Sequence, residues 1–127
     1  MCGIYCSINK KKPRFESLKK SLGHRGPDYC NDYEKNNVYF FHTRLAIQDL
    51  SKNGHQPFLS QSGRYVIVFN GEIYNFLELK RQLKLLKKKF KTNSDTEVIL
   101  EGFKAWGTNL FQKLDGMFAF CIWDILN

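Results

Sequence analysis

The amino-acid sequence predicts an α+β domain. Three observations carry that expectation: strand-like runs at residues 2–8, 38–42 and 64–69, a continuous apolar run at 117–123, and two helical stripes between the last two. At 127 residues the chain is one domain, long enough for a core. Hydrophobic content of 43%, with 15% aromatics, excludes a disordered chain.

Residues 2–8 alternate small and apolar side chains with β-branched Ile4 and Ile8, which suits a first strand holding the terminus rigidly. Residues 14–22 offer a short helix. Gly23-His24-Arg25-Gly26-Pro27-Asp28 is a loop by its Gly and Pro content, either a lid or a plain turn. After the strand at 38–42 comes Arg44, a lone guanidinium among apolar residues. It suits bidentate capture of a carboxylate, and equally a structural ion pair. The strand at 64–69 is bounded by Asn70-Gly71, the strongest short turn signal in the chain. That pair reads as a simple hairpin, or as an amide plus an open N–H able to hold an oxyanion.

Asn75, with Glu78 three residues on, predicts a capped helix whose stripe of Phe76, Leu79, Leu83, Leu86 and Phe90 spans residues 76–90. The turn at Asn70-Gly71 is therefore strand-to-helix. Ser94-Asp95-Thr96-Glu97 is a capping box opening a second helix, which Gly107 stops. Asp95 falls in its first turn, where the helix dipole alone favours a carboxylate. Leu114-Asp115-Gly116 then leads into the apolar run at 117–123, as expected of a strand covered on both faces.

Charge and cysteine usage narrow the function. The net charge is +8, but 13 of the 20 basic residues lie in residues 10–20 and 80–91. The second cluster occupies the wet side of the helical stripe, and no nucleic-acid signature accompanies it. A solvated face is the expectation, with no nucleic-acid partner. Cys2, Cys6, Cys30 and Cys121 form no CxxC pair, and no signal-peptide pattern precedes them, so free thiols in a reducing cytoplasm are expected. His24, His42 and His55 match no zinc spacing, and no apolar run approaches a membrane span. Neither metal nor membrane is implied.

The chemistry centres on Cys2. Once Met1 is trimmed, Cys2 carries both a thiol and a free α-amine. The thiolate is the attacking species, and an amine with a pKa near 8 can take its proton, directly or through water. A cysteine at a frayed terminus is the plain alternative.

The blocks Met1-Cys2-Gly3-Ile4, His24 to Asp28, Arg44-Leu45-Ala46-Ile47, Gln56-Pro57-Phe58, Asn70-Gly71-Glu72-Ile73-Tyr74-Asn75, Ser94-Asp95-Thr96-Glu97 and Asp115-Gly116-Met117-Phe118 occur in family order and spacing. By them the chain resembles the N-terminal glutaminase domain of glutamine-hydrolysing asparagine synthetases, which are N-terminal-nucleophile amidotransferases of class II. The resemblance implies a four-layer α/β/β/α sandwich of the N-terminal-nucleophile hydrolase type. It implies that Cys2 attacks glutamine, that Asn70 and the Gly71 N–H hold the oxyanion, and that Arg44 takes the α-carboxylate. Leu45, Ala46, Ile47 and Gln48 would line the pocket, Glu72 and Asp95 would hold the α-ammonium, and residues 24–28 would form a lid. No cofactor is expected in this chain. ATP and Mg belong to the family's synthetase domain, which is absent from residues 1–127, so the amidotransferase domain is expected to be C-terminally incomplete. A synthetase domain or partner chain and a homodimer complete the implied partners. The non-enzyme alternative is a truncated remnant acting as a binding or regulatory partner.

Overall fold

The computed structural model describes residues 1–47 and 49–126, and its elements are mixed helix and sheet. Strand β1 (Gly3–Ile8) and helix α1 (Phe15–Leu22) are followed by β2 (Tyr29–Lys35) and β3 (Val38–Arg44). The short β4 (Phe58–Leu59) precedes β5 (Tyr65–Ile73), α2 (Phe76–Leu85), α3 (Asp95–Trp106) and β6 (Gly116–Asp124). Two antiparallel sheets result, with strand orders β1-β3-β2 and β4-β5-β6.

Alternation along β5 decides the packing. Val66 and Val68 meet Val38 and Phe40 of β3 between the two sheets, while Ile67, Phe69 and Ile73 meet Leu79 and Leu83 of α2 and Val98, Ile99 and Leu100 of α3. A strand covered on both faces needs apolar side chains at successive positions, and Val66-Ile67-Val68-Phe69 supplies them. Helix α1 lies against the other face of β3, where Phe15 and Phe41 pack edge to face with ring centroids 5.2 Å apart.

Several sequence expectations need correction. Asn70 and Gly71 do not form a turn: β5 runs through them to Ile73, paired with Ala119 and Phe118 of β6. Gly71 has φ +150, and a Cβ there would lie 2.2 Å from the Met117 carbonyl oxygen, so glycine lets the two backbones approach. Turn chemistry was the right residue type for the wrong reason. The run at 117–123 is not covered on both faces either. Met117 is 64% and Phe118 40% exposed, and only the later part of β6 is sandwiched, with Phe120 and Ile122 toward the helices and Cys121 and Trp123 toward the other sheet.

Helix α2 ends at Leu85, short of the full stripe. Lys87 adopts φ +60, and Lys87 N–H and Lys88 N–H donate to the carbonyls of Lys84 and Leu83 at 2.9 and 3.0 Å, a Schellman closure. Asn75 does not cap α2 with its side chain. Its amide instead donates to Lys113 O at 2.8 Å and accepts from Asp115 N–H at 3.1 Å, fastening the start of α2 to the entry of β6. The capping box at α3 is half formed. Ser94 Oγ accepts from Glu97 N–H at 3.4 Å, but the Glu97 carboxylate accepts from Lys91 N–H, Thr92 N–H and Thr92 Oγ1. Strand β2 carried no clear apolar alternation. Pairing with β3 makes it a strand.

Candidate active site

Strand ends build the site. Cys2 immediately precedes β1, Arg44 closes β3, and Gly71 and Glu72 lie near the end of β5. These four residues and Asp95, the first residue of α3, line one cavity together with Met1, Leu45 and Ile47. Its volume of about 170 Å³ is below the range typical of drug-sized ligands, a scale that suits a small metabolite.

Local bonding fixes Cys2 from both sides. Its carbonyl accepts from Arg25 Nε at 3.0 Å, and its sulfur accepts from the Leu45 N–H at 3.4 Å. The next residue is held as well: Gly3 N–H donates to Thr43 Oγ1, which donates to Leu22 O, both at 3.0 Å. A Cβ on Gly3 would lie 2.6 Å from Thr43 Oγ1. Thus β1 is clamped to β3 directly behind the nucleophile candidate.

Arg44 is only 6% exposed. Its guanidinium donates to Ser51 O at 2.8 Å and to Asp49 O. Among the described residues no carboxylate forms a salt bridge with it: the cation lines the cavity bonded to two backbone carbonyls, with the Asp49 carboxylate charge in the same wall. The structural ion pair that the sequence left open is not formed. Gly54 packs against the guanidinium, where a Cβ would lie 2.6 Å from Nη2.

Asp95 lies opposite in charge. It is buried, and its Oδ2 accepts from Ile73 N–H at 3.1 Å. Burial pushes its pKa up from the usual carboxylate value, and the neighbouring Glu72 charge adds to the shift. Glu72 itself is exposed at the cavity.

The remaining sequence candidates divide. Leu45 and Ile47 line the cavity; Ala46 does not, and its N–H is taken by Asp28 Oδ2 at 2.8 Å. Asn70 is half-buried beside Gly71, outside the lining, and its Oδ1 is buried without a hydrogen-bond partner among the described residues. Gln48 lies outside the described residues. The segment at 24–28 is docked on the end of β3: Pro27 bridges Arg44, and Asp28 N–H donates to Arg44 O at 3.0 Å.

Sequence reasoning missed two supports. Gln56 lines the cavity and is a strut: its Oε1 accepts from Phe69 N–H at 2.6 Å and its Nε2 donates to Thr96 Oγ1 at 3.2 Å, tying β5 to the start of α3. Only its burial, invisible in a Gln-Pro turn signal, reveals this. His42 is fully buried between the sheets, with Nε2 donating to Phe69 O at 3.2 Å. Burial lowers its pKa to about 4, so the ring is neutral at physiological pH.

Comparisons with known proteins identify the family. The model of the glutamine amidotransferase domain matches residues 1–127. The chain belongs to the glutamine amidotransferase family. This amidotransferase domain is 42% identical to a probable glutamine-hydrolysing asparagine synthetase of Schizosaccharomyces pombe and 39% identical to asparagine synthetase 1 of Arabidopsis thaliana. Each match covers 98% of the chain but 23% and 22% of the relative, so the chain spans under a quarter of their length. Among solved structures it is similar to the glutamine phosphoribosylpyrophosphate amidotransferase of Bacillus subtilis, complexed with ADP and GMP. The TM-score is 0.59 at 29% identity, over 72% of this chain and 22% of that one.

Proposed function

We propose that this amidotransferase domain hydrolyses glutamine to glutamate and ammonia with Cys2 as nucleophile. One observation carries the reading: a buried guanidinium, Arg44, with no salt bridge among the described residues, lines the same cavity as the Cys2 thiol, with the Asp95 and Glu72 carboxyls also in its wall. A buried cation is costly unless it is compensated, and a ligand carboxylate is the natural complement. An amino-acid zwitterion presents that carboxylate together with an ammonium for Asp95 and Glu72. Leu45 and Ile47 line the same pocket.

In this reading the Cys2 α-amine, free once Met1 is removed, takes the thiol proton. Met1 lines the cavity, so its removal also enlarges the entrance. The thiolate then adds to the side-chain amide carbon. The oxyanion is held by the Asn70 amide and the Gly71 N–H; ammonia leaves with the transferred proton, and water hydrolyses the thioester to glutamate. Residues 24–28, already docked on Arg44, serve as the lid.

The packing of α1 on one sheet, the two sheets on each other, and α2 with α3 on the outside supports a four-layer α/β/β/α sandwich of the N-terminal-nucleophile hydrolase type. By likeness to the asparagine synthetases, the ammonia serves ATP- and Mg-dependent amidation of aspartate in a synthetase domain or partner chain, in the cytoplasm, with a homodimer as the assembly. The domain itself needs no cofactor. The test is glutamate release from glutamine by protein with Met1 removed. Cys2→Ala abolishes turnover while glutamine still binds, and undiminished hydrolysis in that variant overturns the assignment.

A further inference from the structure

Two cysteines that take no part in the site face each other across the sheet interface. On β1, Cys6 sits opposite Phe40 of β3; on β6, Cys121 sits opposite Val68 of β5. Phe40 and Val68 belong to the apolar cluster between the sheets, and both cysteines pack against it. Each is half-buried and reduced. Both thiols thus enter the same inter-sheet layer from opposite sheets, close enough for each to shift the other's ionisation.

We propose that Cys6 and Cys121 form a reversible inter-sheet disulfide under peroxide, stapling β1 to β6. The geometry selects this pair over the other two thiols. Cys2 lies on the same face of β1 as Cys6 but four residues along, roughly 13 Å away, too far to bridge to it. Cys30 neighbours Asn31 on β2, and since Tyr33 faces the sheet interface, alternation turns Cys30 to the outer face.

The chemistry divides between the partners. The interaction with Cys6 lowers the Cys121 pKa to about 7, whereas the same interaction, with burial, pushes Cys6 up. Cys121 therefore supplies the thiolate. It attacks one oxygen of hydrogen peroxide, giving a sulfenic acid and hydroxide. The Cys6 sulfur then attacks the sulfenic sulfur; the sulfenic oxygen leaves as water with the Cys6 proton. In total, two thiols and one peroxide become one disulfide and two waters. The bridge closes nearly the whole chain into one loop and locks the strand that begins at the active-site cysteine.

The experiment treats the full chain with hydrogen peroxide, blocks free thiols, and maps tryptic peptides. The expected product joins the peptide of residues 1–10 to that of residues 114–127, two hydrogens lighter than their sum, with fragment ions placing the bridge at Cys6. The melting temperature rises on the order of 10 °C and returns with dithiothreitol. Cys6→Ala and Cys121→Ala each lose both the linked peptide and the shift. A bridge at Cys2 or Cys30, or Cys6 and Cys121 still free after Cys2 has been oxidised, overturns the proposal. Peptide mapping of the unmutated chain decides the matter even where a variant folds poorly, and it does not depend on glutaminase activity.

Discussion

Strand β5 has two sides, and they are built differently. Toward the helices its neighbours are Leu79, Leu83, Val98, Ile99, Leu100 and Leu110, an apolar cluster in which every one of these side chains is fully or almost fully buried. Toward the other sheet the buried apolar residues are fewer, and the same layer holds His42, two thiols and, by alternation from Val68, Asn70. His42 Nδ1 and Asn70 Oδ1 are both buried without a hydrogen-bond partner among the described residues. Dispersion and the hydrophobic effect ask only for close apolar contact, so the helix side can be a plain core. Chemistry needs polar groups held in low dielectric, and the structure gathers Cys2, Arg44, Glu72 and Asp95 at one end, where the strand ends meet the start of α3.

That contrast predicts a separation of stability from catalysis. On the helix side, Leu83→Ala should cost about 2 to 5 kcal/mol in urea unfolding while kcat per folded molecule stays near that of the unmutated protein. On the sheet side, Asn70→Ala should lower kcat on the order of a hundredfold or more with little change in glutamine affinity, as for other lost oxyanion donors. If Leu83→Ala slows turnover as strongly as Asn70→Ala, the two sides are not separable.

A smaller effect concerns His42, whose folded pKa of about 4 lies below the ordinary 6.5. The unfolded ring then binds more protons, so its contribution is full above pH 6.5 and is lost as pH falls toward 4, by about 2 to 3 kcal/mol near pH 4.5. Asp95, with a raised pKa, contributes in the opposite sense, becoming less unfavourable as pH falls. Comparing His42→Gln with the unmutated protein cancels that contribution. Urea midpoints at pH 7.5 and 4.5 should therefore diverge less in the variant, and equal acid sensitivity would remove His42 from the account. The smallest expected change is in Arg44→Lys, which should weaken glutamine binding roughly tenfold because an ammonium cannot reproduce a planar fork. Isothermal titration with Cys2→Ala in both backgrounds measures it; equal affinity would assign the carboxylate elsewhere.

Much of the helix side was legible in the residues alone. The stripe through Leu79 and Leu83, the start of α3 at Asp95 and its stop at Gly107 follow local periodicity and end chemistry, which act over a few neighbours along the chain. Cys2, Arg44 and Asp95 also stand out in the sequence, their roles being what the family resemblance implies, and they line one cavity. What they could not contain was partnership across the chain. Strand β2 exists because β3 pairs with it, and Asn70-Gly71 stays extended because β6 lies alongside. The exposed start of β6 depends on what packs over it, not on its own apolar content. Gln56 as a strut, Arg44 held by carbonyls, and Cys6 against Cys121 all join residues distant in sequence or fixed by loop geometry. Local propensity fixes the period and ends of an element, whereas burial, register and charge compensation depend on what the folded chain brings beside it.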